Sequence, residues 1–399
     1  MLEKLNAQDY IKLEDTLGAK TYKPLDLVIE RAEGVWLYDI EGNKYLDCLS
    51  GYSSVNLGHC HPKLVETMKT QAEKITQLSR AFRNIELPLF FKEITKFAGK
   101  SCVLPMNTGA EAVETAIKLA RKWGYEEKGI TPDKAEIIVC ENNFHGRTTT
   151  IVSFSSEPSY KDPFKPLTPG FKIIPYGDAE ALKNAINPNT CAFLVEPIQG
   201  EGGVVIPAQG YLKEVQKICK ENNVLFMLDE IQTGFGRTGK QFAYEHEGAE
   251  PDVLIVGKSL SGGFYPVSAV LADSSIMDIF KPGEHGSTYA GNPLACAIAR
   301  AAMKAIKEEK LAERSAELGS YFMDRLKNLK SPHIKEIRGK GLFIGVVLDE
   351  AARPYCEALQ NLGVVCKETR STVIRISPPL IITKEELDFI YEQLEKVFN

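Results

Sequence analysis

The sequence predicts an α/β protein with a large, mostly parallel β-sheet and a smaller α+β unit built from the two ends of the chain. From about residue 100 to 275, short apolar runs rich in β-branched residues alternate with longer amphipathic stretches. This alternation is typical of a parallel sheet that is covered by helices on both faces. The length of 399 residues and the composition, 44% hydrophobic and 25% charged, are those of a folded globular chain.

The strands of the large sheet are predicted at the short apolar runs. These runs are residues 102–105, 137–140, 192–195, 224–228, 253–256 and 267–272. Near the N-terminus, residues 35–49 predict two short strands around the turn Glu41-Gly42-Asn43. Two further strands, at 342–348 and 373–376, are predicted in the last hundred residues.

Apolar residues at helical spacing predict the helices between and after these strands. They are residues 110–123, 211–222, 310–329 and 384–397, with a further Ala-rich helix that opens at Asn292-Pro293 and ends near 308. We find no internal repeat and no Gly/Ser linker, which indicates interleaved domains. Residues 1–50 are predicted to join residues 291–399 in the small domain, and residues 51–290 to form the large domain.

Charge and cysteine usage exclude several classes of protein. A net charge of −5 and a pI near 5.9 provide no basic surface for nucleic acid or an anionic membrane. The longest apolar runs are far shorter than the ~20 residues of a membrane span. The nine cysteines include no CxxC pair, which favours reduced thiols over a zinc ribbon or a disulfide framework. The N-terminus has no apolar segment typical of a signal peptide, so we expect a soluble, cytoplasmic protein.

Two motifs match known patterns without their context. Residues 234–239 spell GxGxxG, but the preceding strand is predicted to end at 228 and no amphipathic helix follows. We therefore expect a glycine-rich loop that serves local geometry, not a dinucleotide site. The sequence His59-Cys60-His61 lacks a second cluster at zinc-site spacing, so we predict no metal there. Instead, we predict a turn before a helix with Pro62 in its first turn.

An acid and an amine follow two predicted strands of the large sheet. Asp229 comes directly after residues 224–228, and Lys258 follows residues 253–256 after one glycine. Alone, Asp229 predicts a structural salt bridge and Lys258 a surface lysine. Together, at the carboxyl ends of two strands, they predict a ligand site, because this edge binds ligands in open α/β sheets. Burial lowers the pKa of a lysine and makes its amine a nucleophile near neutral pH.

Two further features suggest what this site binds. The polar turn at 107–111 opens the predicted helix 110–123, and free N–H groups at a helix N-terminus suit a phosphate. Phe144 lies just beyond the strand 137–140, where its ring can stack on a flat heteroaromatic ring. Phosphate site, stacking ring, buried carboxylate and reactive lysine together predict pyridoxal 5′-phosphate (PLP) as the cofactor.

Six segments of the chain are similar to those of one enzyme family. They are NTGAEAVETAIKLARK, NNFHGRT, VEPIQGEGGV, LDEIQTGFGRTGK, GKSLSGGFYPVSAV and GEHGSTYAGNPLAC. In these segments, and from about residue 20 to 395 overall, the chain resembles the class III aminotransferases of the fold-type-I, PLP-dependent group. The resemblance implies the fold of that group, in which the large sheet has seven strands. It also implies an aminotransferase activity.

The resemblance also implies which residues bind the cofactor. They are Thr108, Gly109, Ala110, Phe144, Asp229, Ile231, Gln232, Lys258, Ser287 and Thr288. Lys258 and Asp229 are implied to be catalytic: Lys258 bonds covalently to PLP and moves the proton, and Asp229 pairs with the ring nitrogen. Phe144 and Ile231 are implied to cover the two ring faces, and Gln232 to reach the ring hydroxyl.

The phosphate site implied by the resemblance is shared between two subunits. Gly109 and Ala110 offer backbone N–H groups from one chain. Thr288, with Ser287 beside it, completes the site from the other chain. The resemblance therefore implies an obligate homodimer with shared active sites.

Five residues are implied to bind substrates. Arg147 resembles the arginine that binds a carboxylate distant from the reacting carbon, and Arg375 the one that binds the α-carboxylate of glutamate or 2-oxoglutarate. Glu201 resembles the residue that pairs with the second arginine when no α-carboxylate is present. Tyr22 and Tyr52 match positions that, in family members acting on ornithine, contact its α-carboxylate and α-amino group. From the residues alone, Arg375 is equally a strand arginine that faces solvent.

With these residues, the resemblance implies transfer of the δ-amino group of L-ornithine to 2-oxoglutarate. N-acetylornithine and other ω-amino acids remain open as alternative donors. A protein that binds PLP without turnover is the alternative from a different class of function.

Overall fold

The computed structural model describes residues 5–398, which form three β-sheets and the helices packed on them. The strands are β1 Ile29–Glu33, β2 Trp36–Asp39, β3 Lys44–Asp47, β4 Cys102–Met106, β5 Glu136–Cys140, β6 Phe171–Ile174, β7 Thr190–Val195, β8 Leu225–Asp229, β9 Val253–Val256, β10 Ser268–Ala272, β11 Ile334–Lys340, β12 Phe343–Leu348, β13 Val364–Val365, β14 Lys367–Thr369 and β15 Val373–Ile376. The helices are α1 Ala7–Leu17, α2 Ser50–Ser53, α3 Pro62–Ala72, α4 Glu86–Ala98, α5 Gly109–Glu126, α6 Thr149–Ser153, α7 Pro158–Lys161, α8 Ala179–Ala185, α9 Tyr211–Glu221, α10 Ser274–Met277, α11 Pro293–Glu308, α12 Leu311–Leu326, α13 Arg353–Asn361 and α14 Lys384–Phe398.

The large sheet has seven strands in the order β4-β10-β9-β8-β7-β5-β6. The run from β9 to β6 is parallel, and β10 is antiparallel to both of its neighbours. The predicted α/β class and the mostly parallel sheet are therefore confirmed. All six predicted strands of this sheet are present, and β6 is the strand that the sequence did not predict.

The central strands are buried because helices cover both faces of this sheet. Every residue of β7, β8 and β9 is buried. Phe193 and Phe226 pack in one apolar cluster with residues of α9 and α11, whereas Leu194 and Met227 pack in a second cluster with residues of α5. Each such side chain stabilises the fold by about 1.5–3 kcal/mol when it leaves water. The sheet is thus a rigid base for the residues at its edge.

The two ends of the chain meet in one of the smaller sheets. This sheet has the order β1-β2-β3-β13, and β13 pairs in parallel with β3 through Val364 with Leu46 and Val365 with Asp47. The third sheet, β11-β12-β15-β14, is antiparallel throughout. Both smaller sheets lie beside the carboxyl edge of the large sheet. Ser50, which follows β3, donates to the carbonyl of Ser377, which follows β15, and accepts from Arg237 in the loop after β8.

The two histidines of the His59-Cys60-His61 segment contact different carboxylates. His59 Nε2 lies 2.8 Å from Asp47 Oδ2, and His61 Nε2 lies 3.0 Å from Glu309 Oε1. Helix α3 begins at Pro62, which confirms the predicted helix start. In the part of the chain that the structure describes, no group of three His, Cys, Asp or Glu side chains could hold a metal ion. Within residues 5–398, no helix combines the length and apolar composition that crossing a membrane requires.

The GxGxxG segment, residues 234–239, is a buried loop on which helix α12 packs. Gly236 and Gly239 both have a φ of 91°, in the left-handed region. A Cβ atom on Gly239 would lie 3.0 Å from Ala316, and one on Gly236 would lie 3.2 Å from the backbone of Ala312. The glycines therefore serve loop geometry and helix packing, as predicted.

Candidate active site

Asp229 and Lys258 lie at the same edge of the large sheet. Asp229 is the last residue of β8, and Lys258 follows β9 after Gly257. The two strands are neighbours, with Asp229 opposite Ile255. Both side chains line a cavity of about 210 Å³. Of the residues predicted to bind the cofactor, the cavity brings together Gly109, Ala110, Phe144, Asp229, Ile231, Gln232 and Lys258.

The Asp229 carboxylate is held by one backbone donor and one imidazole. It is only 5% exposed, and its Oδ1 accepts the Ile231 N–H at 3.0 Å. Its Oδ2 lies 2.7 Å from Nδ1 of His145, which is also buried. Burial opposes a charge on His145, but the hydrogen bond and the charge of Asp229 raise the pKa of this imidazole above its ordinary value. The interaction with Asp229 thus favours the protonated form of His145, the form that compensates the buried carboxylate.

Lys258 is held in a strained backbone conformation. Its φ is 44°, and it begins a short turn of 3₁₀-helix, Lys258–Ser261, between Gly257 and Gly262. Such a conformation is unfavourable for a residue with a side chain and is concentrated at functional sites. Burial lowers the pKa of the Lys258 amine, whereas Glu201 and Asp229 oppose that change. The cavity thus presents an amine that is more easily deprotonated than a surface lysine.

The start of helix α5 forms the opposite wall of this cavity. Thr108 caps the helix: its hydroxyl accepts the Glu111 N–H at 3.2 Å, and Glu111 returns the bond to the Thr108 N–H. As the first helical residues, Gly109 and Ala110 have no acceptor within the helix for their N–H groups. A Cβ atom on Gly109 would lie 3.0 Å from Ile231 Cδ1, so a side chain at this position would require Ile231 to shift. Thr108 itself does not line the cavity.

Phe144 and Gln232 are each held by a hydrogen bond from their own N–H groups. The Phe144 N–H donates to Glu196 Oε1 at 2.9 Å. Gln232 Nε2 donates to the carbonyl of Tyr52 at 3.3 Å, and the amide packs so closely on Gly200 that a Cβ atom there would overlap it. Both side chains therefore have defined positions beside Asp229.

Glu196 is a cavity residue that the sequence reasoning missed. It follows β7 and stands next to Asp229, because Val195 and Leu228 are paired in register. Glu196 is only 6% exposed. Burial, with the nearby charge of Asp229, raises the pKa of its carboxyl to about 7. The signal was available: an acid directly after a buried strand, as for Asp229.

Ser287 and Thr288 lie outside the Lys258 cavity of their own chain. Ser287 Oγ donates to Glu111 Oε1 at 3.0 Å. The Thr288 carbonyl accepts a hydrogen bond from Gln77 Nε2 at 2.7 Å. Both residues line a separate cavity of about 640 Å³. Their contribution to the site of a second subunit remains a prediction.

A second cavity adjoins the first at Phe144, which lines both. It has a volume of about 400 Å³. Of the residues predicted to bind substrates, Tyr22, Tyr52, Arg147 and Glu201 line it. The structure thus brings these side chains together beside the Lys258 cavity.

Arg375 is buried and paired with Glu201. It is 1% exposed, and its Nη1 donates to Glu201 Oε1 at 2.5 Å. Burial opposes the charge on Glu201, but Arg375 outweighs it and keeps the pKa of this carboxyl below its ordinary value. The guanidinium carbon lies 4.9 Å from the centre of the Tyr52 ring. The alternative of a strand arginine that faces solvent is therefore wrong.

Tyr52 is presented by a left-handed turn. The four residues of α2, Ser50, Gly51, Tyr52 and Ser53, have φ values of 44°, 55°, 58° and 70°. The left-handed conformation costs about 1–2 kcal/mol for each residue that carries a side chain. No sequence signal predicts such a run, since only Gly51 favours it.

Arg147 and Tyr22 are accessible. The Arg147 guanidinium carbon lies 4.1 Å from the centre of the Tyr160 ring and 5.6 Å from that of Phe144. Within residues 5–398, no carboxylate pairs with Arg147, and Tyr22 is 73% exposed. The aromatic rings hold the guanidinium in place and leave its donors free for an anionic ligand.

The chain is similar to known proteins over nearly its whole length. Residues 17–398 match the family model described as aminotransferase class-III. The chain is 58% identical over 382 residues to the ornithine aminotransferase of Bacillus subtilis, covering 96% of this chain and 95% of that one. It is 57% identical over 389 residues to the ornithine aminotransferase of Brevibacillus brevis, covering 98% of each.

Solved structures agree with this similarity. An ornithine aminotransferase from Toxoplasma gondii superposes with a TM-score of 0.97 at 45% identity, covering 98% of this chain and 94% of that one. That structure is described as having partial occupancy of PLP at its active site. An acetylornithine aminotransferase from Elizabethkingia anophelis has a TM-score of 0.90 at 48% identity, covering 99% of each chain.

Proposed function

Because the chain belongs to the class-III aminotransferases, which are PLP-dependent, we propose that it transfers the δ-amino group of L-ornithine to 2-oxoglutarate. The products are glutamate-5-semialdehyde and glutamate. The single observation that carries this proposal is the 57–58% identity to curated ornithine aminotransferases over almost the whole chain. The second cavity supports it, because it holds groups for both a donor and an acceptor.

The residues of the first cavity fit PLP. A reactive amine, Lys258, and a buried acid, Asp229, face a cavity in which Ile231 packs closely on Gly109. When bound, PLP supplies an aldehyde that bonds to amines and a ring that withdraws electrons from the carbon bearing the amine. Phe144 and Ile231 would cover the two faces of that ring.

Polar groups of the chain would orient the cofactor. The free N–H groups of Gly109 and Ala110 would bind the phosphate, with Thr108 as the cap that orders them. Asp229, compensated by His145, would hold the ring nitrogen in its protonated form. Gln232 would donate to the ring hydroxyl.

Lys258 would act both as the point of covalent attachment and as the group that moves a proton at the substrate carbon. Its lowered pKa favours both roles, because a neutral amine is the nucleophile and the base. Its position at the end of β9 keeps the amine next to Asp229, which is fixed on the adjacent strand.

Glu201 and Arg375 would let one site accept two kinds of substrate. An α-carboxylate, as in 2-oxoglutarate, would take the Arg375 guanidinium from Glu201. A terminal amine brings no carboxylate to this position, and Glu201 then neutralises the buried arginine. The far end of ornithine, with its carboxylate and α-amino group, would bind Arg147, Tyr22 and Tyr52.

A homodimer with shared active sites is part of this proposal. Thr288 lies outside the Lys258 cavity of its own chain, which supports a role in the partner's site. Large apolar side chains are exposed close in sequence to residues that line the cavity of Thr288. Tyr289 follows Thr288 and is 51% exposed, and Phe82 and Ile85, which follow Arg80, are 65% and 76% exposed. A second copy would cover them.

Location and domain organisation are proposed on separate grounds. A cytoplasmic location is supported by the nine cysteines, all of which are free thiols. The pairing of β3 with β13 supports a small domain of residues 1–50 and 291–399 beside a large domain of residues 51–290.

The test is a comparison of amino donors with the purified, PLP-loaded protein. Ornithine and 2-oxoglutarate should give glutamate and a semialdehyde that can be trapped chemically. N-acetylornithine is the alternative donor, because the 48%-identical acetylornithine aminotransferase shares the fold. Rapid reaction with N-acetylornithine or 4-aminobutyrate, and none with ornithine, would refute the ornithine assignment.

A further inference from the structure

The glycine-rich loop 234–239 carries a buried arginine that the proposed chemistry does not use. We propose that Arg237 is a positioning residue for the recognition of carboxylates. It ties the left-handed turn Ser50–Ser53 to the backbone just after Arg375, and this tie holds Tyr52 against the Arg375 guanidinium.

Arg237 is fully buried and donates to four acceptors from three segments of the chain. Its Nη1 donates to the carbonyls of Leu342 at 2.9 Å and Pro378 at 2.7 Å. Its Nη2 donates to Ser50 Oγ at 3.1 Å and to Asn56 Oδ1 at 2.5 Å. None of these acceptors is charged. Burial lowers the pKa of Arg237 to about 9, so the guanidinium keeps its charge at neutral pH.

A buried cation with only neutral acceptors is unfavourable unless every acceptor is correctly placed. Arg237 therefore resists separation of the segments that it joins. The three segments are the turn and its continuation to Asn56, the start of β12, and the residues after β15. Tyr52 lies in the turn and Arg375 lies on β15, so Arg237 bonds to the segments that carry both side chains of this contact.

Ser50 completes the connection between the turn and β15. Its Oγ accepts from Arg237 and donates to the carbonyl of Ser377 at 2.6 Å. Ser377 follows Arg375 by two residues, and its N–H donates to the carbonyl of Cys48 at 2.8 Å. The backbone just before the turn and the first side chain of the turn are thus both bonded to Ser377, at the end of the strand that carries Arg375.

The turn needs this support because its conformation is strained. All four residues have positive φ, and the Ser53 hydroxyl is buried without a partner among the described residues. Contacts outside a strained segment must hold it in place. Tyr52 forms one wall beside the Arg375 guanidinium, and Glu201 provides the ion pair. If the tie is lost, we expect Tyr52 to withdraw and the guanidinium to lose part of its fixed geometry.

This inference rests on the proposed binding of the 2-oxoglutarate carboxylate by Arg375. Two variants test it: Arg237→Lys, which cannot satisfy four acceptors, and Ser50→Ala, which removes one acceptor and its onward bond. Arg314→Lys is the control for the arginine, because Arg314 donates to the carbonyls of Ile381 at 3.2 Å and Ile382 at 2.9 Å, near the same segment, without contacting the turn.

Ser53→Ala is the control for the serine, because it removes a hydroxyl from the same turn without breaking a hydrogen bond. For each PLP-loaded variant, we would measure KM and kcat with 2-oxoglutarate, the affinity for PLP and the melting temperature. Hydrogen exchange of the Tyr52 and Ser54 amides reports on the turn independently of activity. These amides bond to the carbonyls of Leu49 and Ser50 at 3.0 Å.

We expect Arg237→Lys and Ser50→Ala to raise KM for 2-oxoglutarate roughly tenfold, with kcat and PLP affinity changed less than about threefold. The turn amides should exchange faster in both variants. Arg314→Lys and Ser53→Ala should leave KM and the exchange of these amides at wild-type values. If Arg237→Lys does not fold, the comparison of Ser50→Ala with Ser53→Ala decides the outcome.

Equal effects in a variant and its control would overturn the proposal, since the role would then be general stability. Unchanged KM together with unchanged exchange would also overturn it. Failure of the proposed function is distinguishable: Arg375→Lys would then leave KM for 2-oxoglutarate unchanged. In that event, slower or unaltered exchange of the Tyr52 amide in Ser50→Ala still refutes the tie, and faster exchange supports it.

Discussion

Glu201 Oε1 lies 2.5 Å from Arg375 Nη1, at the side of the second cavity that adjoins Gln232. Arg375 is fully buried, whereas the Glu201 side chain is 28% exposed. The arginine is therefore the fixed member of the pair, and the glutamate is the member that can leave. This asymmetry is what an exchange between a protein carboxylate and a substrate carboxylate requires.

Replacing Glu201 should change the preference between the two kinds of amine. In Glu201→Ala, a terminal amine leaves Arg375 buried and unpaired, whereas an α-amino acid still brings its own carboxylate. We expect kcat/KM for ornithine to fall roughly 10²-fold relative to that for glutamate. Half-reactions with each amine, followed by absorbance, measure this. Glu157→Ala is the control, because Glu157 pairs with Arg370 at 3.1 Å in the same cavity. An unchanged preference in Glu201→Ala would refute the exchange.

Removing the Lys258 amine should abolish covalent attachment of PLP and lower the transfer rate by several orders of magnitude. Reduction with borohydride followed by intact mass measurement tests attachment directly. The wild-type chain should gain the mass of the cofactor, and Lys258→Ala should not. Lys240→Ala, which alters an exposed lysine, should behave as wild type. Retained labelling of Lys258→Ala would show that a different lysine carries PLP.

Shared active sites predict that two inactive variants restore each other. Lys258→Ala lacks the amine, and Thr288→Asp places a negative charge where the partner's phosphate is expected. After random reassociation, half of the dimers are mixed, and each mixed dimer has one intact site. We expect about one quarter of the wild-type activity. No recovery, in a mixture shown by native mass spectrometry to contain mixed dimers, would contradict a contribution of Thr288 across the interface.

Two buried glutamates should make the stability depend on pH. The pKa of Glu196 is raised by burial from 4.5 to about 7, and so is that of Glu230. Since the folded state binds the proton more tightly, this contribution to stability is complete below pH 4.5 and is lost as pH rises through 7. Glutamine stays neutral at every pH. At pH 8, the free energy of unfolding of Glu196→Gln should therefore exceed that of the wild type by on the order of 2–3 kcal/mol. At pH 4, the two free energies of unfolding should be equal.

Glu230→Gln is the matched control, because Glu230 is equally buried but does not line the cavity. Both variants should show the same stability effect in urea unfolding at the two pH values. Only Glu196→Gln should also shift the pH profile of amino transfer. If neither variant changes the slope of stability with pH, the two carboxyls are ionised in the folded protein.

Apolar runs in the sequence were sufficient to predict most of the large sheet. The exception, β6 at Phe171–Ile174, is an edge strand with half-buried and exposed positions, so its apolar signal is weak. The antiparallel direction of β10 was also not predicted. Strand direction follows from the connecting chain, and a buried strand has the same composition in either direction.

The site was predictable where chemistry coincides with the end of a strand. Asp229 and Lys258 follow buried runs, and so does Glu196, to which the same reasoning was not applied. The acceptors of Arg237 could not be predicted from the sequence, because two of them are backbone carbonyls and every residue type has one. The position of Thr288 relative to PLP requires a second chain, which no pattern within one sequence describes.

The bond between Ser50 and Ser377 joins residues that lie 327 positions apart. On the ribosome, the turn that carries Tyr52 is therefore synthesised long before β15, the strand to which it bonds. Almost the entire chain has to emerge before the carboxylate-binding wall can close. A truncated or stalled nascent chain would expose β3 without β13, so the unfinished protein depends on protection that the finished one supplies for itself.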